Sequence, residues 1–294
     1  MRAVQVTRFG GPEVLSVAEV ERPTPISTEV LVRVMAAGVN PVDCKTRRGE
    51  GVARWMGPPP FVVGWDVCGT VEAIGYGVTR FQVGDVVYGM PRFPRSGGCY
   101  AEYITAPSRQ FAPVPEGTSP IEAAALPLAA LTAWQCLVDS AQIKSGETVL
   151  VHGAAGGVGH LAVQIAESRG ARVVAGNHRG DRDTLAARNV EVALDLVGGG
   201  DTEALLATLR EGGILLAVAD GADESVKAQA IGRGVRVVEP LVEPDGCSLE
   251  AISTLVESGR LKVNVEEVFP LEQAARAHEA LERGGRKGKL VLRL

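Results

Sequence analysis

The sequence predicts an α/β protein: a β-rich region of short strands, followed by a doubly wound parallel sheet with helices on both faces. Three observations carry this expectation. From Met1 to about Pro115, short alternating or β-branched runs ("RAVQV", "EVLVRVMAAGV", "DVCGTVEAIG", "GDVVYGM", "AEYITAP") stand between Gly, Pro and polar turns. That spacing suits an irregular all-β barrel or sandwich. From about Ser119 the pattern turns helical with "IEAAALPLAALTAWQCLVDSA" and then alternates strand and helix, as a parallel sheet between two helical layers does. Third, "LVHGAAGGVGHLAVQIAESRGARVVAG" from Leu150 reads as strand, glycine-rich turn, helix and second strand.

In order, strands are expected over residues 148–152, 172–175, 192–197, 213–218 and 235–239, with helices over 157–169, 183–189, 201–210, 223–231 and 248–258. The tail carries a helix near 271–283 and a final strand in "GKLVLRL". A terminal strand after a helix returns most simply to the β-rich region. The expected division is therefore 1–118, 119–258 and a returning segment 259–294.

Bulk properties exclude several functions. With 294 residues, 46% of them hydrophobic, the chain can bury a sizeable core, and no apolar run is long enough to span a bilayer. The net charge is −5 with no block of Lys and Arg, which argues against nucleic acid as a partner. The start lacks the pattern of a signal peptide. Five scattered cysteines without a C-x-x-C pair fit reduced thiols in a cytoplasm, and neither a disulfide framework nor a structural zinc site.

The glycine turn points to a dinucleotide. Gly153, Gly156 and Gly159 recur every three residues between strand and helix. Gly156 and Gly159 match the second and third glycines of the Rossmann fingerprint, while Ala154 stands at the first. Gly156 would let a pyrophosphate approach the backbone, Gly159 would let the helix pack close, and the N–H groups and dipole of the helix start would favour the charge. The candidate phosphate contacts are Gly153, Ala155, Gly156, Gly157, Val158 and Gly159. Such a turn also serves packing alone in many proteins. At the end of the second strand, where NAD sites carry an acid for the ribose 2′-hydroxyl, the chain reads Gly176-Asn177-His178-Arg179. Asn177, His178 and Arg179 suit a 2′-phosphate, with Arg179 as bidentate partner, so NADPH is the expected cofactor. The plainer alternative is that Arg179 is one more solvated charge.

Several motifs together resemble the zinc-independent, zeta-crystallin-like quinone oxidoreductases of the medium-chain dehydrogenase/reductase superfamily. They are "AAGVNPVDCKTRRG" (36–49), "GWDVCGTVEAIGYGVTRFQVGDVVYG" (64–89), "GGCYAEYITAP" (97–107), "EAAALPLAALTAWQCL" (122–137), "VHGAAGGVGHLAVQIA" (151–166) and "VFPLEQAARAHEALERGGRKGKLVL" (268–292). They cover nearly the whole chain in family order. The resemblance implies a GroES-like β domain, a Rossmann domain, and a C-terminal segment that rejoins the first, with the active cleft between the two domains. It also implies hydride transfer to a quinone or α,β-unsaturated carbonyl, Asn40 and Asp43 near nicotinamide and substrate carbonyl, and Thr132 facing the nicotinamide. Each has a structural alternative: Asn40-Pro41 opens turns, Asp43 could cap the helix that follows, and Thr132 could bond its own helix. Lys45 and Arg47 of the same motif are more ordinarily solvated or structural. Zinc-dependent relatives have Cys where this chain has Asn40, and Gly-His-Glu where it has Gly64-Trp65-Asp66. No metal is therefore expected.

One departure stands out. From Gly176 to Glu191 there are sixteen residues, whereas a βαβ unit takes about 30. The usual third strand, an edge strand in the order 3-2-1-4-5-6, is expected to be missing, which leaves 2-1-4-5-6 with strand two as a new edge. The uncovered edge favours a homodimer, and the lost segment weakens NADPH binding on the adenosine side. Two functions follow: an NADPH-dependent reductase of a small-molecule quinone or enone, or a catalytically weak NADPH-binding sensor on a trimmed scaffold.

Overall fold

A computed structural model describes residues 1–176 and 186–294. The chain forms two compact units: Met1–Leu131 with Glu243–Glu257 and Val263–Leu294, and Thr132–Val242 with Ser258–Lys262.

In the first unit, strand Glu29–Val39 is the spine. Its apolar run is buried almost throughout because it pairs antiparallel with three others, Val67–Ile74, Tyr103–Pro107 and Lys289–Arg293. Strands Val86–Gly89 and Phe111–Pro113 extend one edge of this seven-stranded sheet, and Val265–Pro270 lies parallel to the last strand at the other. A three-stranded sheet of Leu15–Glu19, Arg2–Val6 and Phe61–Val62 completes the β structure. One core joins the sheets, from Val4 and Val6 through Val32, Val67 and Phe111 to Ala277 and Leu292. The register Leu290↔Val39 brings the start of the last strand beside Asn40.

The units do not divide at residues 118 and 258. Pro127 interrupts the long helical run of 121–141, which becomes helices Pro120–Ala124 and Pro127–Trp134 and a π-helix over Gln135–Ser140, and the division falls within the second of these. Helix Gly246–Glu257 also belongs to the first unit. A Cβ at Gly246 would lie 2.5 Å from the Phe111 carbonyl and 2.6 Å from that of Arg109, so only glycine allows this approach. The Tyr88 hydroxyl bonds to Leu249 O at 2.8 Å and Ser253 Oγ at 2.9 Å.

In the second unit the parallel strands run Arg172–Gly176, Thr148–His152, Val190–Asp195, Leu209–Ala217 and Arg236–Val238 across the sheet. This is the expected order 2-1-4-5-6. Among the described residues no further strand pairs with Arg172–Gly176. Helix Gly159–Ser168 buries Leu161, Ala162, Ile165 and Ala166, the stripe its spacing foretold. Most of the helix expected over 183–189 lies outside the described residues, and 186–189 are turn and irregular backbone. No helix among the described residues is long and apolar enough to cross a membrane.

Candidate active site

Two constellations, one in each unit, hold the expected site residues that the structure describes. In the second unit, strand Thr148–His152 ends at the glycine turn. Gly153 has φ +91°, which glycine adopts without a Cβ penalty, and the N–H groups of Gly153 and Ala154 donate to Gly176 O at 2.7 and 2.8 Å. That pair ties the turn to the neighbouring strand. Helix Gly159–Ser168 follows directly. A Cβ on Gly159 would stand 2.0 Å from Gly153 O and 2.7 Å from Ala154 Cα, so this glycine is demanded by the fold's own packing. A Cβ on Gly156 would meet only Gly153 O, at 3.3 Å. Packing asks far less of Gly156. Ala155, Gly156, Gly157 and Val158 are partly exposed at the helix start, where N–H groups and helix dipole favour an anion. The residues of the turn therefore fit a dinucleotide phosphate.

Thr132 lies in this unit, buried in helix Pro127–Trp134. Asn177, His178 and Arg179 lie outside the described residues. The sequence reading missed a buried polar cluster at the strand ends. His152 Nδ1 is 3.2 Å from Asp195 Oδ1, and Asp195 also accepts from Gly198 N at 2.9 Å, Val197 N at 3.1 Å and Thr202 Oγ1 at 2.7 Å. Burial works against the Asp195 charge, but the bonds from His152, Gly198, Thr202 and Val197 outweigh it and hold its pKa below the ordinary carboxylate value. The cluster fixes the turn after strand Val190–Asp195.

In the first unit, helix Pro41–Arg47 begins at Asn40, whose extended backbone and following Pro41 suit a helix start. Asp43 Oδ2 accepts the Asn40 backbone N–H at 2.7 Å, so Asp43 does cap the helix. The Asn40 side chain, 2% exposed, is held at both ends. Its Nδ2 donates to Asp66 Oδ2 at 2.8 Å, and its Oδ1 accepts from the Lys289 ammonium. Lys289 also lies 3.2 Å from Asp66 Oδ2, while Asp66 Oδ1 accepts Leu128 N at 2.6 Å. The structure thus brings Asn40 and Asp43 together and adds Asp66 and Lys289, which the sequence reading did not assign.

A second set of buried groups reaches Asp43 from behind. The Tyr100 hydroxyl is 3.1 Å from Asp43 Oδ2 and 3.2 Å from His278 Nε2, and Arg47 Nη1 is 3.2 Å from His278 Nδ1. Arg47 is buried, with Nη2 donating to Glu282 at 2.6 Å and Nε to Gly10 O at 3.1 Å, a structural role. Burial and the Arg47 charge push His278 down to about 3, so it is neutral. Burial, reinforced by Asp66, lifts Asp43 to about 7 against the opposing effects of the Asn40 N–H, Lys289 and Tyr100.

These groups do not fit zinc. The positions that carry metal ligands in zinc-dependent relatives hold an amide, a buried tryptophan whose Nε1 donates to Arg95 O at 2.6 Å, and a carboxylate facing an ammonium. A cation would meet the Lys289 charge. Cys44 and Cys68 are buried, and burial pushes their thiols up, away from the thiolate a metal binds. Among the described residues no group of three His, Cys, Asp or Glu side chains is arranged around a metal position.

Comparison with known proteins bears on both units. A family profile described as alcohol dehydrogenase GroES-like domain matches residues 27–116, and one described as zinc-binding dehydrogenase matches 168–292. A quinone oxidoreductase of Pongo abelii is 33% identical over 328 aligned positions that cover 100% of this chain and 98% of the relative. The alignment is longer than the 294-residue chain, so the relative carries residues this chain lacks. Among solved structures, a quinone oxidoreductase of Coxiella burnetii matches with TM-score 0.92 and 33% identity over 100% of this chain and 99% of its own. The Escherichia coli quinone oxidoreductase, solved in complex with NADPH, matches with TM-score 0.85 and 26% identity over 100% of both. With full-length identity to these enzymes and both units in place, the chain belongs to the zeta-crystallin-like quinone oxidoreductase family of the medium-chain dehydrogenase/reductase superfamily.

Proposed function

We propose that the protein is an NADPH-dependent, zinc-independent reductase of a quinone or α,β-unsaturated carbonyl. The observation that carries this reading is the glycine turn. Gly156 is hardly required by the protein's own packing, and a phosphate approaching the backbone accounts for it. A similar protein is solved with NADPH, and residues 176–179 offer no acid for a ribose 2′-hydroxyl. NADPH, when bound, supplies a hydride. The chain's own residues hold its phosphates at Gly153–Gly159 and present Asn40 and Thr132 to the reacting groups. In place of a Lewis acid, hydrogen bonds aimed at the oxygen that gains charge lower the barrier. The reading includes a cytoplasmic homodimer, which light scattering on the purified protein would check.

A second reading is favoured by one observation. The sheet ends at Arg172–Gly176 among the described residues, and the chain is shorter than its relatives. A weak cofactor-binding sensor would tolerate that loss better than an enzyme.

Fluorescence titration with NADPH and NADH, followed by oxidation with a quinone and an enone, separates the two. NADPH is expected to bind at least about tenfold more tightly than NADH, a difference of about 1.4 kcal/mol. Arg179→Ala is expected to erase that preference without weakening NADH. Acceptor-dependent turnover supports the reductase. Binding without turnover supports the sensor, and binding of neither nucleotide rejects both.

A further inference from the structure

The Asn40 constellation contains two carboxyl groups and one ammonium. Lys289 lies against Asp66, and among the described residues no cation is within bonding distance of Asp43. Asp43 Oδ2 accepts two hydrogen bonds, from Asn40 N and Tyr100 Oη, whereas Oδ1, equally buried, has no partner among the described residues. Arg47 fixes the direction of the chain behind it. A guanidinium can only donate, so His278 Nδ1 accepts and its Nε2 carries the hydrogen. That hydrogen points at Tyr100 Oη, which leaves the phenol hydrogen for Asp43 Oδ2. Both donors therefore converge on Oδ2, and a proton on Asp43 must sit on Oδ1.

The other titratable groups facing Asp43 are accounted for. Cys44 on its own helix, and Cys99 and Tyr100 from the segment before strand Tyr103–Pro107, are pushed up by burial and stay neutral. His278 is neutral, and the Arg47 charge is matched by Glu282. Asp66 and Lys289 remain as the charges that matter. They balance only while Asp43 carries no charge.

We propose that Asp43 is a positioning residue that works as a neutral acid, with its proton on Oδ1, and that its ionisation sets a second carboxylate against Lys289 and releases the Asn40 amide. The inference rests on the reading of Asn40 as a group that touches nicotinamide or acceptor. It adds a protonation state that the site requires.

Asp43→Asn is nearly isosteric with the neutral acid: the amide oxygen takes both donors and the amide nitrogen replaces Oδ1–H. In the wild-type protein without cofactor, a protonated-carboxyl infrared band is expected to titrate near pH 7. The Asn40 side-chain amide NMR resonance should shift with the same midpoint. In Asp43→Asn the band is absent and the resonance does not change with pH. In turnover, wild-type kcat/KM should fall approaching tenfold per pH unit above the midpoint, while whatever activity Asp43→Asn retains should show no alkaline fall. An Asn40 resonance indifferent to pH in the wild type would overturn the proposal. So would a folded, NADPH-binding Asp43→Asn protein with no turnover, because the acid would then act as a donor and not as a holder. If no form of the protein turns over, the reductase reading fails, and the infrared and NMR titrations still decide the state of Asp43.

Discussion

Replacing Lys289 by Met is expected to destabilise the first unit by about 3–5 kcal/mol, the largest loss from any single side chain of the site. Lys289 is 3% exposed and Asp66 is fully buried. In the variant, the Asp66 side chain keeps, among the described residues, only the neutral donors Asn40 Nδ2 and Leu128 N. A buried carboxylate without its cation costs far more than the pair contributes, because desolvation of both charges offsets most of their attraction. The Asn40 carbonyl oxygen also loses its donor. Against a total stability of about 5–15 kcal/mol, such a loss leaves a marginal protein. Adding Asp66→Asn to Lys289→Met should recover at least half of it, since an amide needs no counter-ion. Urea unfolding of the two variants checks this. A double variant no more stable than Lys289→Met would mean that the cost lies in packing of the lysine stem, and not in the stranded charge.

Asp43 gives a stability effect of its own, with a definite sign. Its folded pKa, about 7, lies above the ordinary 3.8. The native state therefore binds this proton more tightly than the unfolded chain does. The stability it contributes is complete below the unfolded value and is lost as pH rises to about 7. Asp43→Asn removes that loss, so the variant should gain in thermal midpoint over the wild type when the pH is raised from 4 to 8. His278 acts in the opposite range. Held neutral at about 3, it costs stability as pH falls from its unfolded value of 6.5.

The sequence disclosed those parts of the molecule that have local patterns. Strand Thr148–His152, the glycine turn and helix Gly159–Ser168 follow from β-branched residues, from glycines and from an apolar stripe at helical spacing, all within twenty-one residues. The end of the described sheet at Arg172–Gly176 agrees with the shortness of the chain after Gly176, which was legible because sheet geometry sets a minimum length for a crossover. Asn40 and Asp43 were legible together because one helix start holds both. Lys289, Tyr100 and His278 were not. Lys289 reaches Asn40 across 249 residues of sequence and Tyr100 reaches Asp43 across 57, while His278 meets Tyr100 across 178, and a buried charge pair has no periodicity to betray it. Asp66 was read only as part of a motif that lacked its histidine, when its partner was an ammonium from the last strand. The boundary of the units was misplaced for a similar reason: nothing local in "DGCSLEAISTLVES" tells that Gly246 sits against the carbonyls of Arg109 and Phe111.

The two glycines of the turn should both lose nucleotide binding on the same change, but only one of them should lose stability with it. Gly159→Ala puts a Cβ 2.0 Å from Gly153 O and 2.7 Å from Ala154 Cα. Both neighbours are backbone, so the turn must open or the helix must move off the strand. A stability loss of at least about 1–3 kcal/mol is expected, and nucleotide binding should disappear with the turn. Gly156→Ala meets one carbonyl oxygen at 3.3 Å, a contact that a shift of a few tenths of an ångström relieves. Its stability should change by less than about 1 kcal/mol. If a phosphate approaches the backbone at Gly156, the added methyl nevertheless occupies that approach, and NADPH affinity should fall at least about tenfold, or about 1.4 kcal/mol. Thermal unfolding and NADPH titration of both variants separate packing from binding. A Gly156→Ala protein that is stable and binds NADPH as the wild type does would show that no phosphate lies there. In that case the turn would serve the fold alone.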